Sequence, residues 1–229
     1  MERVSVRDGR TPIVMFAPHG FQGNDENTAL IADTVANQIR CYSVVNKGWE
    51  RSSSVDASND KADCNNVYHC HEDVVREEIL DPLMRTIKKA KKWGETVFVY
   101  TIHGMSDRHR IICGEKIDMV VGYGAGDPES HSMDTWRKDF FMHKIRDLGV
   151  NVFEGKSGGN MSGWSKSNMN QLYRKWYPDQ SVQSLQIEIV HELRSDFDMS
   201  MLISDYIATC ALETMKASSF TATKSFKSY

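Results

Sequence analysis

The sequence predicts an α/β domain, with a mostly parallel or mixed central sheet and helices on both faces. Two observations carry this. Short apolar runs alternate with stretches whose apolar residues recur at helical spacing, and strand–helix alternation is the pattern of βαβ units. Several runs are apolar at nearly every position, which suits strands covered on both faces. At 229 residues the chain can bury roughly 70% of its unfolded surface as one domain. No internal repeat or linker divides it. We expect a single domain over residues 1–217 and a flexible tail over 218–229, where the sequence turns polar in "ASSFTATKSFKSY".

The elements follow in order. "TPIVMFA" (Thr11 to Ala17) is the first strand. From Thr28, Leu30, Ile31, Val35 and Ile39 mark one face of a helix, with Asn24, Asp25 and Asn27 as cap candidates. "CYSVVN" is a second strand. Arg51 to Asn66 is a Ser/Asp/Asn-rich loop, long enough to suggest a function. His71 to Trp93 reads as a long helix ending at Gly94, kinked or divided by Pro82. "TVFVYTI" (Thr96 to Ile102) is the strongest buried strand, and it runs into His103-Gly104. Further on, "IDMVVGYG", "GVNVFEG" and "SLQIEIV" read as strands. Helices are expected over Asp134 to Leu148, with Phe140, Phe141, Ile145 and Leu148 inward, over Ser167 to Trp176, and over Met199 to Lys216.

Composition narrows the function. A net charge of −3 gives no basic footprint, so nucleic acid is not expected as a partner. No apolar run reaches the ~20 residues of a membrane span, and "MERVSVRDGR" has no signal-peptide core. Five irregularly placed cysteines do not form a disulfide framework, which points to reduced thiols and a cytoplasmic setting.

Ligand sites of open α/β sheets gather beyond the carboxyl ends of strands. That rule selects His19 after "IVMFA", His103 after "VFVYTI" and Glu188 within "LQIEIV". A catalytic zinc takes about three protein ligands, often two imidazoles and a carboxylate, and keeps one position open. His19 and His103 supply the imidazoles, and Asp25 or Glu26 the carboxylate. Adjacent helical residues point about 100° apart, so one of the two acids is expected at the metal. Glu188 is the candidate base for a zinc-held water.

These residues also carry a family resemblance. "APHG" followed by an acid and "NTALIA", then "TIHG", "VVGYG", "GG…GW" and "LQIEI", in that order, resemble the N-formylglutamate amidohydrolase family over about Ile13 to Arg194. The pattern is also similar to the related poly-γ-glutamate hydrolases. The resemblance implies a three-layer, zinc-peptidase-like α/β fold. It also implies one Zn2+ ion, held by His19 and His103, with Glu188 as general base in cleavage of an amide bond next to a glutamate-like acid. The related hydrolases carry a glutamate three residues before a threonine. Counting back from Thr28 lands on Asp25, while Glu26 has the family's residue type one position late. Register favours Asp25, and both stay candidates.

A small-molecule or short-peptide substrate with a carboxylate is expected to meet an arginine. Arg51 matches a basic position of the family, and Arg174 and Arg194 are further candidates. Asn65 lies in the polar loop that would cover the pocket. Gly158 and Gly159 would let backbone amides approach an anionic group. Cys64, His69, Cys70 and His71 are zinc-type ligands, but they lack the Cys-x-x-Cys spacing of a structural site and read as a loop entering a helix. "GYGAG" lacks the Gly-Lys-Ser/Thr ending of a nucleotide loop.

Overall fold

The computed structural model describes residues 3–21, 25–107, 111–112, 115–125 and 128–218. The chain enters through β1 (Val4–Arg7), a strand of four residues, of which only Val4 is buried. β2 (Ile13–Ala17) is buried at every position. α1 (Thr28–Gln38) buries Ile31, Ala32, Val35 and Ala36. β3 (Tyr42–Asn46) is again fully buried.

The expected long helix after the polar loop is a composite. α2 (Asp73–Val75) passes into a π-helical turn over Arg76–Leu80 and resumes as α3 (Asp81–Ala90). Pro82 falls in the first turn of α3, where its missing N–H costs least. The proline thus divides the helix without ending it.

β4 (Val97–Met105) is longer than expected: His103 and Gly104 are paired strand residues and not its exit. A small hairpin, β5 (Ile111–Ile112) with β6 (Glu115–Lys116), precedes β7 (Met119–Gly122). α4 (Thr135–Asp147), β8 (Val152–Glu154), α5 (Met169–Trp176), β9 (Val182–Val190) and α6 (Phe197–Lys216) complete the order. On α4, Phe141 and Ile145 are buried as expected. Leu148 is 38% exposed, since it lies just past the end of the helix at Asp147. The segment 219–229 of the expected tail, and the cap candidate Asn24, lie outside the described residues.

The sheet has seven strands in the order β1-β3-β2-β4-β9-β7-β8. β3, β2, β4 and β9 are parallel, β1 is antiparallel to β3, and β7 pairs antiparallel with β9 and parallel with β8. The sheet is therefore mixed. Its two faces are covered by separate apolar clusters: one contains Ile31, Val35, Phe141, Ile145, Ile203 and Ile207, from α1, α4 and α6. The other joins α3, α5 and the loop residues Ala62, Cys64 and Cys70 to the opposite face. The result is a three-layer α/β architecture. Among the described residues no helix is long and apolar enough to cross a membrane.

Candidate metal centre

The carboxyl ends of the parallel strands β2, β4 and β9 meet at one end of the sheet. His19 stands two residues beyond β2, and His103 pairs with Glu188 across β4 and β9. Glu188 also pairs with Val120 on β7. His19 and His103 are buried, with ring centroids 5.0 Å apart.

The local sequence explains how these side chains are held. Asn46, at the end of β3, donates its amide to the carbonyls of Pro18 and Trp49, at 2.7 and 2.8 Å. This fixes the "APHG" turn. A Cβ at Gly20 would sit 2.7 Å from the Asn46 carbonyl oxygen and 2.8 Å from Ala29 Cβ, so the residue after His19 must be small. The residue after His103 is under the same constraint: a Cβ at Gly104 would lie 2.4 Å from Cζ of Arg194.

Asp25 closes the site. Its Oδ2 lies 3.3 Å from His19 Nδ1 and 3.4 Å from His103 Nδ1. These three ligand atoms fall within 4.8 Å of one another, the one such group among the described residues. Ligand atoms about 2.0–2.2 Å from a tetrahedral zinc lie about 3.4 Å from each other. The donor set of two imidazoles and a carboxylate fits that ion in type and spacing. His103 Nε2 is buried with no hydrogen-bond partner among the described residues. His19 Nε2 donates to Asp63 Oδ1 at 2.8 Å, the arrangement that orients a metal-binding imidazole from behind.

The electrostatics match the geometry. Burial opposes ionisation of Asp25, yet hydrogen bonds and charge from His103 and His19 hold its carboxyl far below the usual range. Asp63 is likewise opposed by burial, but the His19 hydrogen bond and charge bring it to about 2. Burial disfavours the charged form of His19, and its bonds to Asp25 and Asp63 outweigh that and raise its pKa. Glu188 is half-buried, and burial pushes its carboxyl up, partly offset by the charge of His103. Its Oε1 accepts from Gln186 Nε2 at 2.7 Å, and Gln186 Oε1 accepts from Asn168 Nδ2 at 2.8 Å. A buried amide relay thus aims Glu188 from the start of α5.

The remaining sequence candidates divide. Glu26 is not brought into the cluster: its carboxylate is exposed and faces His191 at 3.2 Å. Neither Asp25 nor Asn27 caps α1 with its side chain, because Asp25 serves the two histidines and Asn27 donates to the Arg194 carbonyl. Arg194 is buried and donates to the backbone carbonyls of Ile189 and Glu26. It ties the Asp25 turn to the end of β9. Arg51 is exposed, and its charge helps lower the Asp63 pKa. Asn65 donates its backbone N–H to Asp63 Oδ1, and its own Oδ1 is buried without a partner among the described residues. Arg174 lies on a separate groove. The Gly159 N–H is used inside a turn, on the Lys156 carbonyl.

The Cys64, His69, Cys70, His71 set does not converge. Both cysteines are core thiols whose pKa burial pushes up, and His69 Nδ1 accepts the backbone N–H of Asp63. Asp63 itself escaped the sequence reading. Its signal was the pair of core residues around it, Ala62 and Cys64, in an otherwise polar loop.

No protein-family model matches the sequence, and no curated protein does. Solved structures do match in fold. An N-formylglutamate amidohydrolase from Ralstonia eutropha JMP134 superposes with a TM-score of 0.66 at 14% identity, covering 94% of this chain and 98% of that one. A bacteriophage poly-gamma-glutamate hydrolase gives 0.58 at 12% identity over 92% and 87%. A metallo-carboxypeptidase from Burkholderia cenocepacia gives 0.53 at 12% identity over 94% and 66%. The chain therefore has the zinc-carboxypeptidase-like α/β fold that these hydrolases share.

Proposed function

We propose that this chain is a zinc-dependent hydrolase that cleaves the amide bond of an N-acyl amino acid resembling N-formylglutamate. The observation that carries the reading is the convergence of His19 Nδ1 and His103 Nδ1 on Asp25 Oδ2, beside the half-buried Glu188. His19, Asp25 and His103 would hold the ion. When bound, zinc lowers the pKa of a water to about 7 and polarises a carbonyl.

The protein's own groups supply the rest. Glu188 takes the proton of the attacking water and passes it to the departing nitrogen. Burial raises its pKa, which makes the carboxylate a stronger proton acceptor. Gln186 keeps the carboxylate aimed. Arg51 meets the substrate carboxylate, and Asn65 lines the pocket beside Asp63. Buried free thiols at Cys41, Cys64, Cys70 and Cys210 support a reducing, cytoplasmic setting.

Elemental analysis joined to a screen of N-formyl-L-glutamate, other N-acyl amino acids and γ-glutamyl peptides tests this. We expect about one zinc per chain. Glu188→Gln should keep the metal and lose roughly 10²–10⁴-fold in kcat. Unchanged metal content and turnover in both His19→Ala and His103→Ala would sink the proposal.

A further inference from the structure

A second concave feature lies on the face covered by α5. It encloses a cavity of about 690 Å³, within the roughly 300–1,000 Å³ range of ligand pockets. None of its lining residues belongs to the His19–Asp25–His103 cluster, and none is acidic. Three are cations, Lys166, Arg174 and Lys175, on a chain whose net charge is −3. None of the three forms an ion pair with a described carboxylate, whereas Arg3, Lys47, Lys138 and Lys144 each do.

Arg174 is held ready for a ligand. Gln171 is buried and anchored by two hydrogen bonds from its Nε2, to the carbonyls of Ser130 and Gly163 at 2.8 and 2.9 Å. Its Oε1 accepts from Arg174 Nε at 3.0 Å. The guanidinium is thereby positioned through Nε, and its two terminal nitrogens stay available for a bidentate acceptor. Beside it, Tyr68 is 65% exposed and Trp176 is 40% exposed, with the His71 ring against Trp176 at 6.3 Å. Two partly exposed aromatic rings beside an oriented arginine give the groove the composition of an interaction surface.

We propose that this groove is a second binding site, for an acidic peptide segment. Arg174 takes one carboxylate through both terminal nitrogens, and Lys166 and Lys175 take its neighbours. Tyr68 and Trp176 cover apolar side chains between the acids. A nucleic acid fits less well, because three cations fall short of the roughly 6–10 phosphate contacts of a salt-sensitive complex. A small inorganic anion would engage Arg174 and leave both aromatic rings bare. The proposal is independent of the metal chemistry, since it concerns binding at residues outside that cluster.

Isothermal titration calorimetry with the full chain tests it. The probe is an end-blocked hexapeptide of alternating glutamate and leucine. Controls are the glutamine–leucine peptide of equal length and a thymidine hexanucleotide. We expect the acidic peptide to bind at about 50 mM salt and to weaken several-fold at about 200 mM. The glutamine peptide should bind at least about tenfold more weakly. Arg174→Glu combined with Lys175→Glu should abolish binding, Arg174→Lys should weaken it through loss of the bidentate contact, and Trp176→Ala should weaken it without changing the salt dependence. These side chains are exposed, so an unchanged thermal midpoint will show that the variants fold. Any one of three results overturns the proposal: no heat with the acidic peptide, equal affinity for the glutamine peptide or the hexanucleotide, or affinity indifferent to the double charge reversal.

Discussion

Gly104 shows how one atom decides the geometry of the site. A Cβ there would meet Nε, Cζ and a terminal nitrogen of Arg194 at 2.4–2.6 Å. The guanidinium is buried and bound to two carbonyls, so it cannot swing aside freely. Gly104→Ala should therefore cost about 2 kcal/mol, the worth of a charge-assisted hydrogen bond. It should also loosen the Glu26 carbonyl, and with it the turn that presents Asp25. The expected outcome is a lower thermal midpoint together with faster zinc loss to a chelator; a midpoint and zinc off-rate matching those of the parent would refute this role for Arg194. At this scale the sequence was informative where residue type is restrictive. His19, His103 and Glu188 were picked out together, because the single rule that ligands gather beyond the carboxyl ends of strands selects all three. Between Asp25 and Glu26, register favoured Asp25, the acid that the structure brings to the histidines, but left both open, because which acid turns inward depends on the turn held by Arg194, far along the chain. Arg194 itself read as a substrate ligand, because sequence shows a cation but not that its Nε and one terminal nitrogen donate to backbone carbonyls.

α5 and β9 are joined by a chain of amides that gives the elements a shared function. Asn168 Oδ1 caps α5 by accepting the Asn170 N–H, while Nδ2 donates to Gln186, which donates to Glu188. Asn168→Asp separates the two roles. The cap survives, since aspartate serves as well as asparagine there. The donor toward Gln186 becomes an acceptor, so the Gln186 amide must turn over and offer its oxygen to Glu188. Losing the hydrogen bond that lowers the Glu188 pKa should raise that pKa further. The acidic limb of the pH–rate profile should then move to higher pH with little change in thermal midpoint; a limb that stays in place would remove Gln186 from the account. β4 and β9 were readable from the apolar run "TVFVYTI" and the segment "SLQIEIV", although each strand is longer than the stretch that announced it. β1 was not, being an edge strand of four residues, too short for its Val-Ser-Val alternation to stand out, and the helix containing Pro82 hid its π turn because periodicity does not register one extra residue per turn.

The whole molecule combines a mixed sheet with a charged centre at the carboxyl ends of its inner parallel strands. The reversal of β7 and β8 against β9 could not be read from sequence, since strand direction is set by how the connections pack and not by strand composition. The charge arrangement has a consequence for the entire fold. Asp63 and Asp25 have folded pKa values below their unfolded ones, so the stability they contribute is present above about pH 4 and is lost as pH falls through the folded values. The His19 pKa is raised, so its contribution is complete below about pH 6.5 and is lost as pH rises through the folded value. In the metal-free protein these groups together favour a window of about pH 4 to 6.5. Zinc needs His19 without its proton at the coordinating nitrogen, so binding releases protons and strengthens with pH. Melts across pH 4 to 9, with and without chelator, should therefore diverge. With chelator the thermal midpoint should decline above about pH 6.5, whereas with stoichiometric zinc it should hold or rise over the same range. Parallel curves would mean that His19 neither gains a proton in the metal-free protein nor gives one up to a metal.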